Sequence, residues 1–183
     1  TLSCKAHRDS YDRLFYEARF EVICLQETRN KYSRINESEH FVCCSSAASA
    51  GNHGCEVWIS KTKSWSPEGE SKSCVSSGSC TIVYEDHRLL IIRAHGRFFD
   101  FYCIAAHAPY ASCTEDPVAR WKHYSLTIST YCTKGIPIVS GTDFNITLYA
   151  GDGNLWGNVG MNNATDADHL ESVHECLTHH SLC

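Results

Sequence analysis

Three short apolar runs, each stopping at a chemically active residue, constrain this chain more than any other feature. The first is Val22-Ile23-Cys24-Leu25, followed at once by Gln26-Glu27-Thr28-Arg29. The second is Phe101-Tyr102-Cys103-Ile104-Ala105-Ala106, which ends at His107-Ala108-Pro109. The third is Ile136-Pro137-Ile138-Val139, which ends at Ser140-Gly141-Thr142-Asp143-Phe144-Asn145. A short apolar run without alternation reads as a strand buried on both faces, and such strands belong to α/β sheets covered on both sides. Ligands in those folds bind beyond the carboxyl ends of the strands. The runs therefore end in a carboxylate, an imidazole, a second carboxylate and an amide. Any one of them alone is an ordinary strand end. Together they have the chemistry of a metal-assisted hydrolase.

Glu27 is the clearest candidate ligand, because a hard cation such as Mg2+ takes one or two carboxylates and fills its other positions with water and phosphate oxygens. Asp143 and Asn145 stand two apart, so on an extended segment both face the same way. Each also has a plain structural reading. Glu27 can be a surface carboxylate after a strand, Asp143 and Asn145 can form a turn, and His107 can be a core histidine.

Composition bounds the rest. A chain of 183 residues is one domain with a substantial core, and 43% apolar with 20% charged residues is neither disordered nor fibrous. No apolar run approaches the ~20 residues needed to span a bilayer. The chain begins at Thr1 and its only methionine is Met161, so we expect a stretch of a longer reading frame. The net charge of −5 requires any nucleic-acid contact to rest on a local basic patch, and Arg29, Lys31 and Arg34 are the candidates. None of the twelve cysteines is spaced Cys-x-x-Cys. They read as reduced core residues of an intracellular protein rather than a zinc ribbon or a disulfide framework. The segment holding His169, His174, Glu175, Cys176, His179 and His180 reads as a polar helix face, since its spacings fit no standard zinc set.

In chain order, residues 8–19 show helical spacing of Tyr11, Leu14, Phe15 and Ala18 behind a possible Asp9 or Ser10 cap. Residues 30–40 read as a polar loop, 41–45 as a strand, and 45–54 as a turn of small residues. Residues 54–61 alternate as a strand, and strands follow at 80–84, 88–94 and 98–106. The Asp86-His87 pair falls in a hairpin turn, where it is expected to be exposed and idle. A second helix spans 114–132, with Thr114 as its cap and Trp121, Tyr124, Leu126 and Ile128 as its buried side. Residues 147–163, with Trp156, read as loop, and 166–180 as a last helix.

The motifs Leu25-Gln26-Glu27-Thr28, His107-Ala108-Pro109 and Asp143-Phe144-Asn145, in that order, resemble the endonuclease/exonuclease/phosphatase superfamily, most nearly the endonuclease domains of LINE-type retrotransposons. The resemblance covers nearly the whole of residues 1–183. It implies an α/β fold, a two-sheet β-sandwich flanked by helices in four layers as in DNase I. It implies Mg (or Mn) held by Glu27, an attacking water and phosphate oriented by Asp143 and Asn145, and His107 donating to a non-bridging phosphate oxygen. Arg29 resembles a basic residue that contacts the nucleic-acid backbone. DNA is the implied partner, with no membrane, a nuclear setting, and a reverse transcriptase fused in the parent protein. A phosphatase or ribonuclease on the same fold, or a non-catalytic remnant, stays open. The family's first-strand Asn and late Ser-Asp-His motif have no counterpart here, so we expect a domain incomplete at both ends and inactive alone. Thr142 stands where the family has Gly, which would strain the backbone if that position needed φ > 0.

Overall fold

The computed structural model describes residues 4–109, 116–143, 175–176 and 179–180. They belong to two compact units, Thr1–His107 with Cys132–Thr142 and Ala108–Tyr131 with Asp143–Cys183.

The first unit is a sandwich of two four-stranded sheets with one helix, α1 (Lys5–Glu17). One sheet contains β1 (Val22–Leu25), β2 (Arg34–Glu37), β3 (Phe41–Ser45) and β4 (Glu56–Ser60), ordered β1-β4-β3-β2 with every neighbouring pair antiparallel. The other contains β5 (Cys80–Glu85), β6 (Leu89–Gly96), β7 (Phe99–His107) and β8 (Ile138–Asp143) in the order β5-β6-β7-β8. Side chains alternate across each strand. Val42, Cys44, Val57 and Ile59 of the first sheet therefore meet Leu90, Ile92, Phe101, Cys103 and Ala105 of the second in one core. Each large apolar side chain buried there contributes about 1.5–3 kcal/mol. β1 and β8 are in tight contact through Cys24 and Gly141. A Cβ added to Gly141 would lie 2.4 Å from Cys24 Cβ.

Several sequence expectations are corrected. β1 is half-buried rather than covered on both faces, because it is an edge strand, and it pairs antiparallel to β4. β2, expected as loop, is a polar edge strand with burial decided by its pairing to β3. β4 does not alternate in burial, since both of its faces are covered. Its outer face carries Glu56 and Trp58, and these meet α1.

That contact explains the turned face of α1. Tyr11 and Leu14, expected inside, are 45% and 54% exposed, whereas Asp12 is buried. Neither Asp9 nor Ser10 caps the helix; Cys4 holds the N-cap position. The inner stripe runs Arg8, Asp12, Phe15 and is mostly polar. Arg8 forks onto Glu56 with Nη1–Oε1 2.7 Å and Nη2–Oε2 3.1 Å. Asp12 accepts from Ser38 Oγ and pairs with His40 Nδ1 at 2.5 Å. Phe15 meets Trp58 edge-on at 5.8 Å between centroids. Glu56 is fully buried and takes two further donors, Asn30 Nδ2 and Trp58 Nε1 at 2.5 Å. A buried carboxylate persists only with such saturation of its lone pairs.

In the second unit, α2 (Pro117–Tyr131) starts at Asp116, whose Oδ1 accepts the Val118 N–H at 2.9 Å. Thr114, the expected cap, lies outside the described residues. Trp121, Tyr124 and Ile128 are buried as expected, but Leu126 is 68% exposed. His180 Nε2 lies 3.0 Å from the Ser125 carbonyl and Cys176 is buried, so this part of the His-rich segment packs on α2. Trp156 and most of the expected last helix lie outside the described residues. No helix among the described residues is long and apolar enough to cross a membrane.

Candidate metal centre

Four backbone hydrogen bonds lace the site together at one end of the first unit. Thr28 N–H donates to Gly54 O at 3.1 Å and Arg29 N–H to His53 O at 2.8 Å. Gly54 N–H donates to His87 O at 2.7 Å, and His107 N–H to Arg88 O at 2.9 Å. The segments joined in this way are the exit of β1, the entry to β4, the β5–β6 turn and the last residue of β7. A Cβ on Gly54, whose φ is +89°, would press on Thr28 Oγ1 at 3.1 Å, so the lacing requires glycine there.

The result is a group of Glu27, His53 and His107, each offering a donor atom within 4.8 Å of the other two. This group can hold a metal ion. Its chemistry fits one: a hard carboxylate oxygen beside imidazole nitrogens suits a divalent ion. His107 is buried, with its side chain 3% exposed, while that of Glu27 is 55% exposed. His107 Nε2 and Glu27 Oε1 are 4.0 Å apart, too far for a hydrogen bond and close enough to address one shared group.

Two of these residues are held in the left-handed backbone region. Glu27 has φ 54° and His53 φ 63°, as does Arg29 between the two lacing bonds with φ 58°. Each costs about 1 kcal/mol or more for a residue with a Cβ, and strain of this kind gathers at functional sites.

The surroundings of His53 favour its neutral form. Burial pushes its pKa below the ordinary value, and the charges of Arg88, His107 and His87 push the same way against Glu27. Its Nδ1 is buried with no hydrogen-bond partner among the described residues. The His53 ring lies 5.5 Å from that of His87 and 5.6 Å from that of His107.

The β5–β6 turn is therefore part of the site, which corrects the expectation that Asp86-His87 is exposed and idle. Both residues are half-buried. Asp86 Oδ1 accepts the N–H groups of Arg88 at 2.6 Å and Leu89 at 2.8 Å, fixing the turn. Arg88, only 1% exposed, donates from Nη1 to His107 Nδ1 at 3.3 Å. On the other side, Asn30 Nδ2 donates to Thr28 Oγ1 at 3.1 Å and also to Glu56, which ties the loop after Glu27 to the buried carboxylate.

No protein-family model and no curated protein matches this sequence.

Of the residues singled out in the sequence, Glu27 and His107 come together. Arg29 joins them through its backbone, with its side chain exposed, as are those of Lys31 and Arg34. Asp143 ends β8 and belongs to the second unit, where its carbonyl accepts the Ala108 N–H at 2.8 Å. Asn145 lies outside the described residues. Thr142 is not strained, because it sits inside β8 and is not among the residues with positive φ. His53, His87 and Arg88 were not legible as site residues. The one available signal was His53 standing directly before a glycine that opens a strand. A further group, Asp12, Glu39 and His40, also has clustered donor atoms. There Asp12 is engaged by Ser38 and His40, and Tyr16 stacks on His40 at 3.9 Å, so the group clasps α1 to the sheet.

Proposed function

We propose that this chain carries part of a metal-dependent phosphodiesterase centre acting on DNA, within the four-layer, DNase I-like fold of the endonuclease/exonuclease/phosphatase superfamily. The single observation behind this reading is the convergence of Glu27, His53 and His107 from separate strand ends. The strained backbones of Glu27 and His53 support it, since strain of this kind gathers at functional sites. Glu27 and His53 hold the ion, Mg or Mn. The nitrogen donor suits Mn better than Mg. A bound ion of this kind stabilises charge that builds on phosphate oxygens. His107 donates a proton-bearing nitrogen to the same phosphate, from a buried position where such a hydrogen bond is strong. Arg29, Lys31 and Arg34 supply exposed cations on the chain segment after Glu27, which suit a polyanionic strand against an acidic whole. The family resemblance assigns Asp143 and Asn145 the roles of orienting the water and holding the phosphate.

The test is an Mn2+ titration followed by nicking of supercoiled plasmid by the full reading frame that contains this chain. Binding and nicking, both lost in Glu27→Gln, are expected. Nicking that is unchanged by EDTA or by Glu27→Gln overturns the reading.

A further inference from the structure

Arg88 is a buried cation whose Nη1 faces His107 Nδ1 at 3.3 Å. An arginine side chain has only N–H donors and does not give up its proton. The imidazole nitrogen that faces it must therefore accept. A proton on His107 Nδ1 would set donor against donor beside a desolvated charge. The ring proton then sits on Nε2, the nitrogen 4.0 Å from Glu27 Oε1. The backbone holds both partners in register: the Arg88 carbonyl accepts the His107 N–H at 2.9 Å, and Asp86 caps the Arg88 N–H at 2.6 Å. An imidazole that binds a metal usually has the opposite arrangement, with a lone pair toward the ion and a proton on the far nitrogen given to a carboxylate or carbonyl.

We propose that Arg88 is a positioning residue that fixes His107 as its Nε2–H tautomer. It thereby makes His107 a hydrogen-bond donor to the phosphate and leaves Glu27 and His53 as the metal ligands of the cluster. This deepens the phosphodiesterase reading and rests on it for the identity of the acceptor. The tautomer itself is independent of any activity. Clustering of donor atoms alone would count His107 as a third ligand; the guanidinium behind the ring decides otherwise.

Long-range proton–nitrogen NMR of 15N-labelled protein tests this, with His107 assigned by comparison with His107→Gln. In metal-free wild type, His107 should show the Nε2–H pattern. Addition of Zn2+ should shift the His53 nitrogens and leave the His107 Nε2–H in place. Arg88→Met should move His107 toward a mixture containing Nδ1–H, whereas Arg88→Lys, which can also only donate, should keep the wild-type pattern. A wild-type Nδ1–H tautomer overturns the proposal, as does loss of the His107 Nε2–H on Zn2+ binding or an unchanged tautomer in folded Arg88→Met. If Arg88→Met does not fold, the wild-type spectra with and without Zn2+ still decide. Failure of plasmid nicking with the tautomer intact would instead overturn the functional reading and leave Arg88's role standing.

Discussion

Gly141 of one sheet packs directly on Cys24 of the other, and there is no room for a second side chain between them. A methyl on Gly141 would sit 2.4 Å from Cys24 Cβ and 2.9 Å from its Sγ. Gln26 Nε2 donates to the Gly141 carbonyl at 2.9 Å, so the contact also anchors the residue before Glu27. Burial pushes the Cys24 thiol up to about 11, which makes it a packing group rather than a nucleophile. Gly141→Ala should destabilise the protein by about 2 kcal/mol through overpacking. In urea unfolding, Cys24→Gly/Gly141→Ala should lose less than the two single changes summed. Strict additivity would show that the sheets can part there at little cost.

Arg8 and Glu56 lead to the second prediction. Removing one partner of a buried ion pair leaves an uncompensated charge, at about 3–5 kcal/mol. Arg8→Met should fall near the lower bound, because Asn30 and Trp58 still donate to Glu56. Arg8→Met/Glu56→Gln should recover part of the loss, since no buried charge remains. Chemical denaturation of the three variants measures this, and a loss below about 1 kcal/mol for Arg8→Met would mean that the carboxylate is already satisfied without the helix.

Glu27 offers a trade between stability and binding. At φ 54°, replacement by glycine removes backbone strain. Glu27→Gly should raise stability by about 1 kcal/mol, reduced somewhat by the greater freedom of the unfolded chain, while abolishing divalent-ion binding. Thermal unfolding and Mn2+ calorimetry on one preparation provide both readouts. A variant that is less stable than wild type would mean that the Glu27 side chain holds the loop itself.

His53 sets a pH dependence with a definite sign. Its folded-state pKa lies below the ordinary 6.5, chiefly because of burial. The unfolded chain therefore takes up the proton first as pH falls. Stability contributed by neutral His53 is complete above the unfolded value and is lost as pH drops through about 6.5 toward the lower folded value. His53→Asn should flatten that part of the profile, and asparagine tolerates the φ of 63°. Urea midpoints in EDTA between about pH 8 and pH 5 test it. Parallel profiles for wild type and variant would show that His53 titrates as it does in the unfolded chain.

Much of the frame was legible because it is local. The runs at 22–25, 41–45 and 101–106 are strands, and the turn chemistry around residue 86 separates β5 from β6. The two-sheet sandwich was expected from the family resemblance rather than from the spacing of those strands, and the two four-stranded sheets are present. The face of α1 was not legible, because hydrophobic periodicity cannot register a helix that turns Arg8 and Asp12 inward onto a buried glutamate of the sheet and a histidine directly before β3. β2 was missed because a polar edge strand takes its conformation from its neighbour.

The same division runs through the site. The sequence by itself determined that Glu27 and His107 stand at strand ends, since an apolar run of strand length gives way to polar residues there. Only the tertiary structure decided that His53, His87 and Arg88 join them, because backbone bonds between residues distant in sequence bring those loops together. It also decided that the nitrogen His107 turns toward Glu27 carries a proton. That assignment depends on a buried guanidinium with no acceptor to offer, and proximity of this kind leaves no periodicity or motif in the chain.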